Sequence, residues 1–117
     1  MRSVGTSLLV FMLCAVTTPS PAQSLTGNDL KRYCESMQSF CLGYVLGASK
    51  MFLEFEAYIA ARGDPNAPTV CLSDGVSYGQ LLDVFTSYME THPDRRHVLA
   101  HVLVAEAMND AFPCKTP

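Results

Sequence analysis

Residues 92 to 114 read HPDRRHVLAHVLVAEAMNDAFPC and hold all three histidines and the last cysteine of the chain. His97 and His101 stand four apart, a spacing that puts two imidazoles on one face of a helix, where they could hold zinc if further ligands came from elsewhere. Between them lie Val98, Leu99 and Ala100, so the HExxH pattern, with its glutamate base, is absent. His92 precedes Pro93 at a helix start, a place where a ring packs on the neighbouring turn. The three rings are therefore expected to take structural or surface roles. Titration in a compartment that acidifies is the one further chemistry they offer.

The remaining reactive side chains point away from catalysis. The chain has no GxSxG elbow, no phosphate-binding loop and no dinucleotide fingerprint. Glu54 and Glu56 are two apart on a helical stretch, so they diverge and read as a solvated face rather than an acid/base pair. A thiol nucleophile would need a free cysteine, and cysteine usage argues against one. Cys34, Cys41, Cys71 and Cys114 form an even set in a small exported domain, the pattern of two disulfides made in an oxidising compartment. No two lie at zinc-knuckle spacing, and there is no CxxCH for haem. The expectation is a protein that is not an enzyme and needs no cofactor or metal.

Export is read from the N-terminus. Arg2, an uncharged run from Leu8 to Val16, and Ser20 and Ala22 before a cut make residues 1–22 a secretory signal peptide. The residue before Cys14 is the bulky Leu13, which disfavours a lipidated cysteine. Residues 23–117 are then one domain, expected to be exported. Losing Arg2 leaves seven basic against eleven acidic residues, a net charge of −4. This is a poor balance for nucleic acid or an anionic membrane and suits a basic protein partner. No further apolar run reaches the roughly 18 residues that a membrane helix needs.

The elements that must position these residues are helices. Thr26 with Asp29 forms a capping box, flanked by a Leu25–Leu30 staple, and starts a short first helix from about Gly27 to Glu35. Ser36 or Ser39 can cap a long second helix from about Phe40 to Arg62. Along it Cys41, Tyr44, Val45, Ala48, Phe52, Phe55 and Ile59 make an apolar stripe, and Gly63 ends it with a left-handed cap. GDPNAPTVCLSDG is a loop. Ser77 with Gln80, stapled by Val76 and Leu81, starts a third helix that buries Leu81, Leu82, Phe85, Tyr88 and Met89. Thr91, Pro93 and Asp94 start a fourth, which turns Val98, Leu99, Val102, Leu103, Ala105 and Met108 inward until FPC stops it. The fold class is all-α, a single small bundle of about four helices.

In an up-down-up bundle Cys71 and Cys114 share one end and Cys34 and Cys41 the other. This favours the pairs 34–41 and 71–114, with the other two pairings left open. The 34–41 pair further requires that no helix run unbroken between them, since seven residues at 1.5 Å rise exceed disulfide reach.

Three stretches in order, FCLGYVLGA, VCLSDGVSYGQLLDVFTSYMETHPDRRH and LVAEAMNDAFPC, resemble the Rap/Tai family of type VI secretion amidase immunity proteins over about Leu30 to Cys114. The resemblance implies an α-helical, often dimeric periplasmic protein that binds a peptidoglycan-cleaving amidase effector and blocks its active-site cleft. The alternative is a periplasmic helical binding or chaperone-like protein of the same fold without an immunity role.

Two features of the residues themselves suggest contact surfaces. Gly43, Gly47 and Ala48 leave a strip of the long helix nearly bare, which lets another helix approach closely, either within the monomer or across a homodimer seam. The loop from Gly63 to Gly75, tethered at Cys71, offers Asp64, Asn66, Ser73 and Asp74 as acceptors and hydrogen-bonding groups to a basic or polar cleft.

Overall fold

The protein, described over residues 23–115 by a computed structural model, contains α1 (Gly27–Ser36), α2 (Gln38–Ala61), α3 (Tyr78–Thr91), a single 3₁₀ turn (Pro93–Arg95) and α4 (Ala100–Ala111). There are no strands among these residues, only two isolated antiparallel bridges, Thr26 with Leu99 and Val70 with Pro113. The expected signal peptide, residues 1–22, lies outside the described residues.

The two expected capping boxes form. Asp29 N–H donates to Thr26 Oγ1 while Asp29 Oδ2 accepts from Thr26 N–H, and Ser77 and Gln80 repeat the exchange at the start of α3. Each satisfies amides that a helix start leaves without partners. Gly63, with φ +87°, ends α2 as expected. Its N–H meets the Ala60 carbonyl, and the Asp64 N–H meets that of Ile59, the paired bonds of a Schellman motif.

The start of α2 differs from expectation. Met37 is the N-cap, with φ −135° and ψ 75°, and no side chain caps the helix; Ser36 Oγ donates instead to the Arg32 carbonyl behind it. That one-residue break separates α1 from α2 and lets Cys34 and Cys41 come within 4.7 Å Cα to Cα and bond. Tyr33 and Phe40 pack across the same corner, ring centroids 4.8 Å apart. Cys71 and Cys114 form the second disulfide, so the favoured pairing is the one present.

The fourth helix is shorter than its start signals imply. Thr91 Oγ1 bonds back to the Ser87 carbonyl of α3, and Pro93 and Asp94 open only the 3₁₀ turn. α4 begins nine residues after Thr91, at Ala100. The reason is tertiary. Gly27 N–H donates to the Val98 carbonyl and Asn28 N–H to that of Arg96, both at 2.8 Å, while Ala100 N–H donates to Leu25. The segment 96–99 thus feeds its carbonyls to the unpartnered amides of α1, and an unbroken helix would have consumed them internally. Arg96 Nε also donates to the Met89 carbonyl at 2.6 Å, closing the C-terminal end of α3.

The core gathers Leu30, Cys41, Val45, Val70, Leu81, Phe85, Met89, Ala100, Leu103, Val104 and Met108. α3 buries Leu81, Phe85 and Met89 as expected, with Leu82 and Tyr88 half-buried at the edge. In α4 the inward face is Ala100, Leu103, Val104, Ala107 and Met108; Leu99 is exposed, and Val102 and Ala105 are half-buried. In α2 the phase also shifts. Phe55 is 56% exposed while Glu56 is 6% exposed, so the phenylalanine faces water and the carboxylate faces in.

Candidate functional site: a braced loop and an apolar groove

The loop between α2 and α3 is bounded by two glycines in the left-handed region, Gly63 (φ +87°) and Gly75 (φ +89°). Asp64 Oδ1 accepts from Asn66 N–H at 2.8 Å, an Asx turn that fixes the first limb. Thr69 to Cys71 is then stitched to the tail after α4. Cys71 N–H donates to the Phe112 carbonyl at 2.9 Å, Cys114 N–H to that of Thr69 at 3.0 Å, and the Cys71–Cys114 disulfide closes the same ladder. Val70, 5% exposed, plugs the core beneath. The second limb turns at Ser73, whose carbonyl accepts from Val76 N–H.

Glu56 holds this loop from inside. Its Oε2 accepts from the Val70 N–H at 3.1 Å and from the Thr69 N–H, and the Thr69 hydroxyl lies 2.9 Å from Oε1. The same hydroxyl sits 2.6 Å from Asn109 Oδ1 of α4. A buried carboxylate is costly unless hydrogen-bonded, and here it receives the bonds that loop amides cannot find elsewhere. Glu56 was expected on a solvated face. Its phase with Cys41, Val45, Ser49 and Phe52, at steps of four, four, three and four, is the signal in the sequence compatible with an inward Glu56. Glu54 does sit on the solvated face, paired with Lys50 at 2.6 Å.

The four expected contact residues, Asp64, Asn66, Ser73 and Asp74, are all exposed, two on each limb of the loop with the stitched Thr69–Cys71 between them. Their side chains are displayed on a backbone held by a carboxylate, a two-rung bridge and a disulfide.

The glycine strip has a different environment from one of its two expectations. A Cβ built on Gly43 or on Gly47 meets nothing within 4 Å, so among the described residues no helix packs there. Beside the strip runs a groove of about 480 Å³ between α2 and α4, lined by Ala48, Met51, Phe52, Phe55, His101, Val102 and Ala105. Met51 at its rim is 71% exposed. Burial pushes the Tyr44 hydroxyl up from its ordinary range where it reaches the His101 backbone beside this groove.

The histidines are not a pair. His97 lies in the turn before α4 and His101 in the first turn of α4, so they do not share a helix face. His92 stacks on Tyr88, centroids 4.0 Å apart and planes 17° apart. Among the described residues no group of three His, Cys, Asp or Glu side chains is placed to hold a metal ion. The polar network nearby is structural. Tyr88 hydroxyl donates to Glu106 at 2.8 Å, and Arg95 pairs with the same carboxylate. Partial burial works against the charge on Glu106, but Arg95 and the Tyr88 hydroxyl outweigh it and hold the carboxyl below its usual range.

Among the described residues no helix is long and apolar enough to cross a membrane. No curated protein and no solved structure matches the chain. The model of one protein family, the Rap1a immunity proteins, matches residues 26–114, which takes in all four helices, both disulfides and the braced loop. The chain therefore belongs to the family of Rap1a immunity proteins.

Proposed function

We propose that the protein is exported to the periplasm and there binds a type VI secretion peptidoglycan amidase, inhibiting it by placing the loop from Gly63 to Gly75 across the active-site cleft. The observation that carries this reading is the loop itself. Asp64, Asn66, Ser73 and Asp74 stand exposed on a segment fixed at both limbs. A segment already ordered loses little conformational entropy when it enters a cleft, so its contacts convert more fully into affinity. Acidic side chains at both ends complement a basic or polar cleft, and the net charge of −4 after export speeds approach to one. Nothing in this role needs a catalytic group, a cofactor or a metal.

Two copies associate, on this reading, through the α2 face. Gly43 and Gly47 leave room for a partner helix, and Met51 and Phe55 beside them expose apolar surface that the monomer does not cover. The groove that they border is lined by no Asp, Glu, Lys or Arg, as the centre of a homodimer interface requires. Sedimentation of the oxidised chain should give a dimer, and Met51→Asp a monomer; a wild-type monomer at tens of micromolar would end the dimer reading.

The direct test of function is capture and protection. The mature protein, used as bait against lysates of type VI-armed bacteria, should retain a cell-wall amidase, and its export should protect a sensitive strain from that amidase delivered to the periplasm. Capture of no hydrolase together with no protection would overturn immunity in favour of a helical binding protein of the same fold.

A further inference from the structure

We propose that Glu56 is the positioning residue of the effector-docking loop: its buried carboxylate, and not the disulfide alone, holds the Asp64–Asn66 limb in the shape that docks. The inference rests on the loop-docking reading above and assigns to it a residue on a different element.

The two limbs are not held alike. The second leaves a segment tied by the Cys71–Cys114 disulfide and the Val70–Pro113 bridge. The first limb runs from the Schellman turn at Gly63 through the Asx turn at Asp64, and its far end is fixed where the Thr69 and Val70 amides meet Glu56, with the single bond from Cys114 N–H to the Thr69 carbonyl beside them. Glu56 lies about one and a half turns before the end of α2, so the limb must fold back over the end of its own helix to reach it. Thr69 adds α4 to the junction, its hydroxyl 2.6 Å from Asn109 Oδ1, while Asn109 Nδ2 donates to the Ala105 carbonyl at 3.1 Å. One carboxylate thus ties the preceding helix, the loop and, through Thr69, the last helix.

Without it the Val70 N–H is buried beside an apolar cluster with no acceptor, and the chain regains a partner only by lifting the segment into water. The disulfide would still hold Cys71, so the first limb loosens while the second and the helical core stay in place. A loosened limb must be ordered when the complex forms, and that cost appears as lost affinity.

The test uses the oxidised mature chain and its Glu56→Ala and Glu56→Gln variants, followed by hydrogen exchange at single amides. In Glu56→Ala the Thr69 and Val70 amides should exchange about tenfold or more faster, as expected for losing hydrogen bonds to a charged acceptor, while the Phe85 amide in the core keeps its rate. Glu56→Gln, whose one amide oxygen can take both N–H groups where Oε2 does, should restore most of the protection. Unchanged Thr69 and Val70, or an equal acceleration at Phe85, would overturn the proposal.

The second arm measures inhibition of a purified type VI peptidoglycan amidase that the wild-type chain inhibits. Glu56→Ala should weaken inhibition about tenfold or more, and Asp64→Ala should cost less in the Glu56→Ala background than in wild type, because the residue it removes is no longer held in place. If Asp64→Ala and Asp74→Ala lose inhibition while Glu56→Ala keeps it, positioning by Glu56 is refuted and the docking reading stands. If neither aspartate matters although the exchange pattern is as expected, the docking reading falls instead.

Discussion

Gly27 gives the sharpest test of how α1 is locked to the rest of the bundle. A Cβ at this position would lie 2.9 Å from the Arg96 carbonyl oxygen, 2.8 Å from Met89 Cε and closer still to Leu103 Cδ1. The two side-chain ends can rotate. The carbonyl cannot retreat freely, because it accepts the Asn28 N–H at 2.8 Å and belongs to the segment whose Val98 carbonyl accepts the Gly27 N–H. Overpacking of this kind costs about 1–3 kcal/mol, set against a helix-propensity gain of at most about 1 kcal/mol for alanine over glycine. Gly27→Ala should therefore be less stable by about 1–2 kcal/mol, a fall in Tm of roughly 5–15 °C for a domain of this size. Gly47→Ala is the matched control. Its new methyl meets nothing within 4 Å, and the same propensity term should make it more stable by about 0.5–1 kcal/mol in the monomer. Denaturant melts of both variants, run with disulfides intact and at concentrations too low for two copies to associate, decide the matter. A Gly27→Ala protein as stable as wild type, or a Gly47→Ala protein destabilised as much as it, would refute the account of the close approach.

Three further outcomes are expected. Ser49 is fully buried and its hydroxyl has no hydrogen-bond partner among the described residues; Ser49→Ala should raise stability by about 1 kcal/mol by removing that unpaired group, and a loss on thermal melting would show that the hydroxyl is satisfied in solution. Replacing Cys34 and Cys41 by serine should cost about 2.5 kcal/mol, and replacing Cys71 and Cys114 about 4 kcal/mol, since the ring of 43 residues constrains the unfolded chain more than the ring of seven; equal losses in urea melts would contradict the loop-entropy argument. Glu106 titrates below its unfolded value, so its contribution is present above the unfolded carboxylate range and is lost as pH falls through the folded value. The stability gap between wild type and Glu106→Gln should accordingly be widest near neutral pH and narrow below about pH 4; a gap that widens on acidification would reverse the assigned sign.

Much of the fold was legible in the sequence because its signals are local. The Thr26–Asp29 and Ser77–Gln80 boxes need only three residues of separation to exchange their bonds, and Gly63 needs only its own missing Cβ to end α2. Helix order favoured the disulfide pairing that forms but left the other two pairings open; the break at Met37 and the shared bundle end decide it. The candidate loop was legible too, from its prolines, glycines and tethered cysteine, but what braces it was not. Glu56 and Phe55 are adjacent, and a stripe read at steps of three and four accepts either phase; hydrophobicity favoured the phenylalanine. The loop decided otherwise, because its Thr69 and Val70 amides needed an acceptor inside. The same ambiguity hid the α2–α4 groove, whose Phe55 reads as core until the bundle is assembled.

The stretch from Thr91 to Leu99 marks the boundary most clearly. By itself the sequence pointed to an all-α domain with two disulfides, four helices in order, and family membership over nearly all of the domain, since periodicity, caps and cysteine spacing are written along the chain. It could not determine that Thr91, Pro93 and Asp94, a complete set of helix-start residues, would open only one 3₁₀ turn. That was decided far upstream, where the free amides of Gly27 and Asn28 take the carbonyls of Val98 and Arg96. Carbonyls given to another helix cannot build their own. That exchange places His97 in a turn and His101 on a groove, and so separates the two rings whose spacing had suggested a metal site.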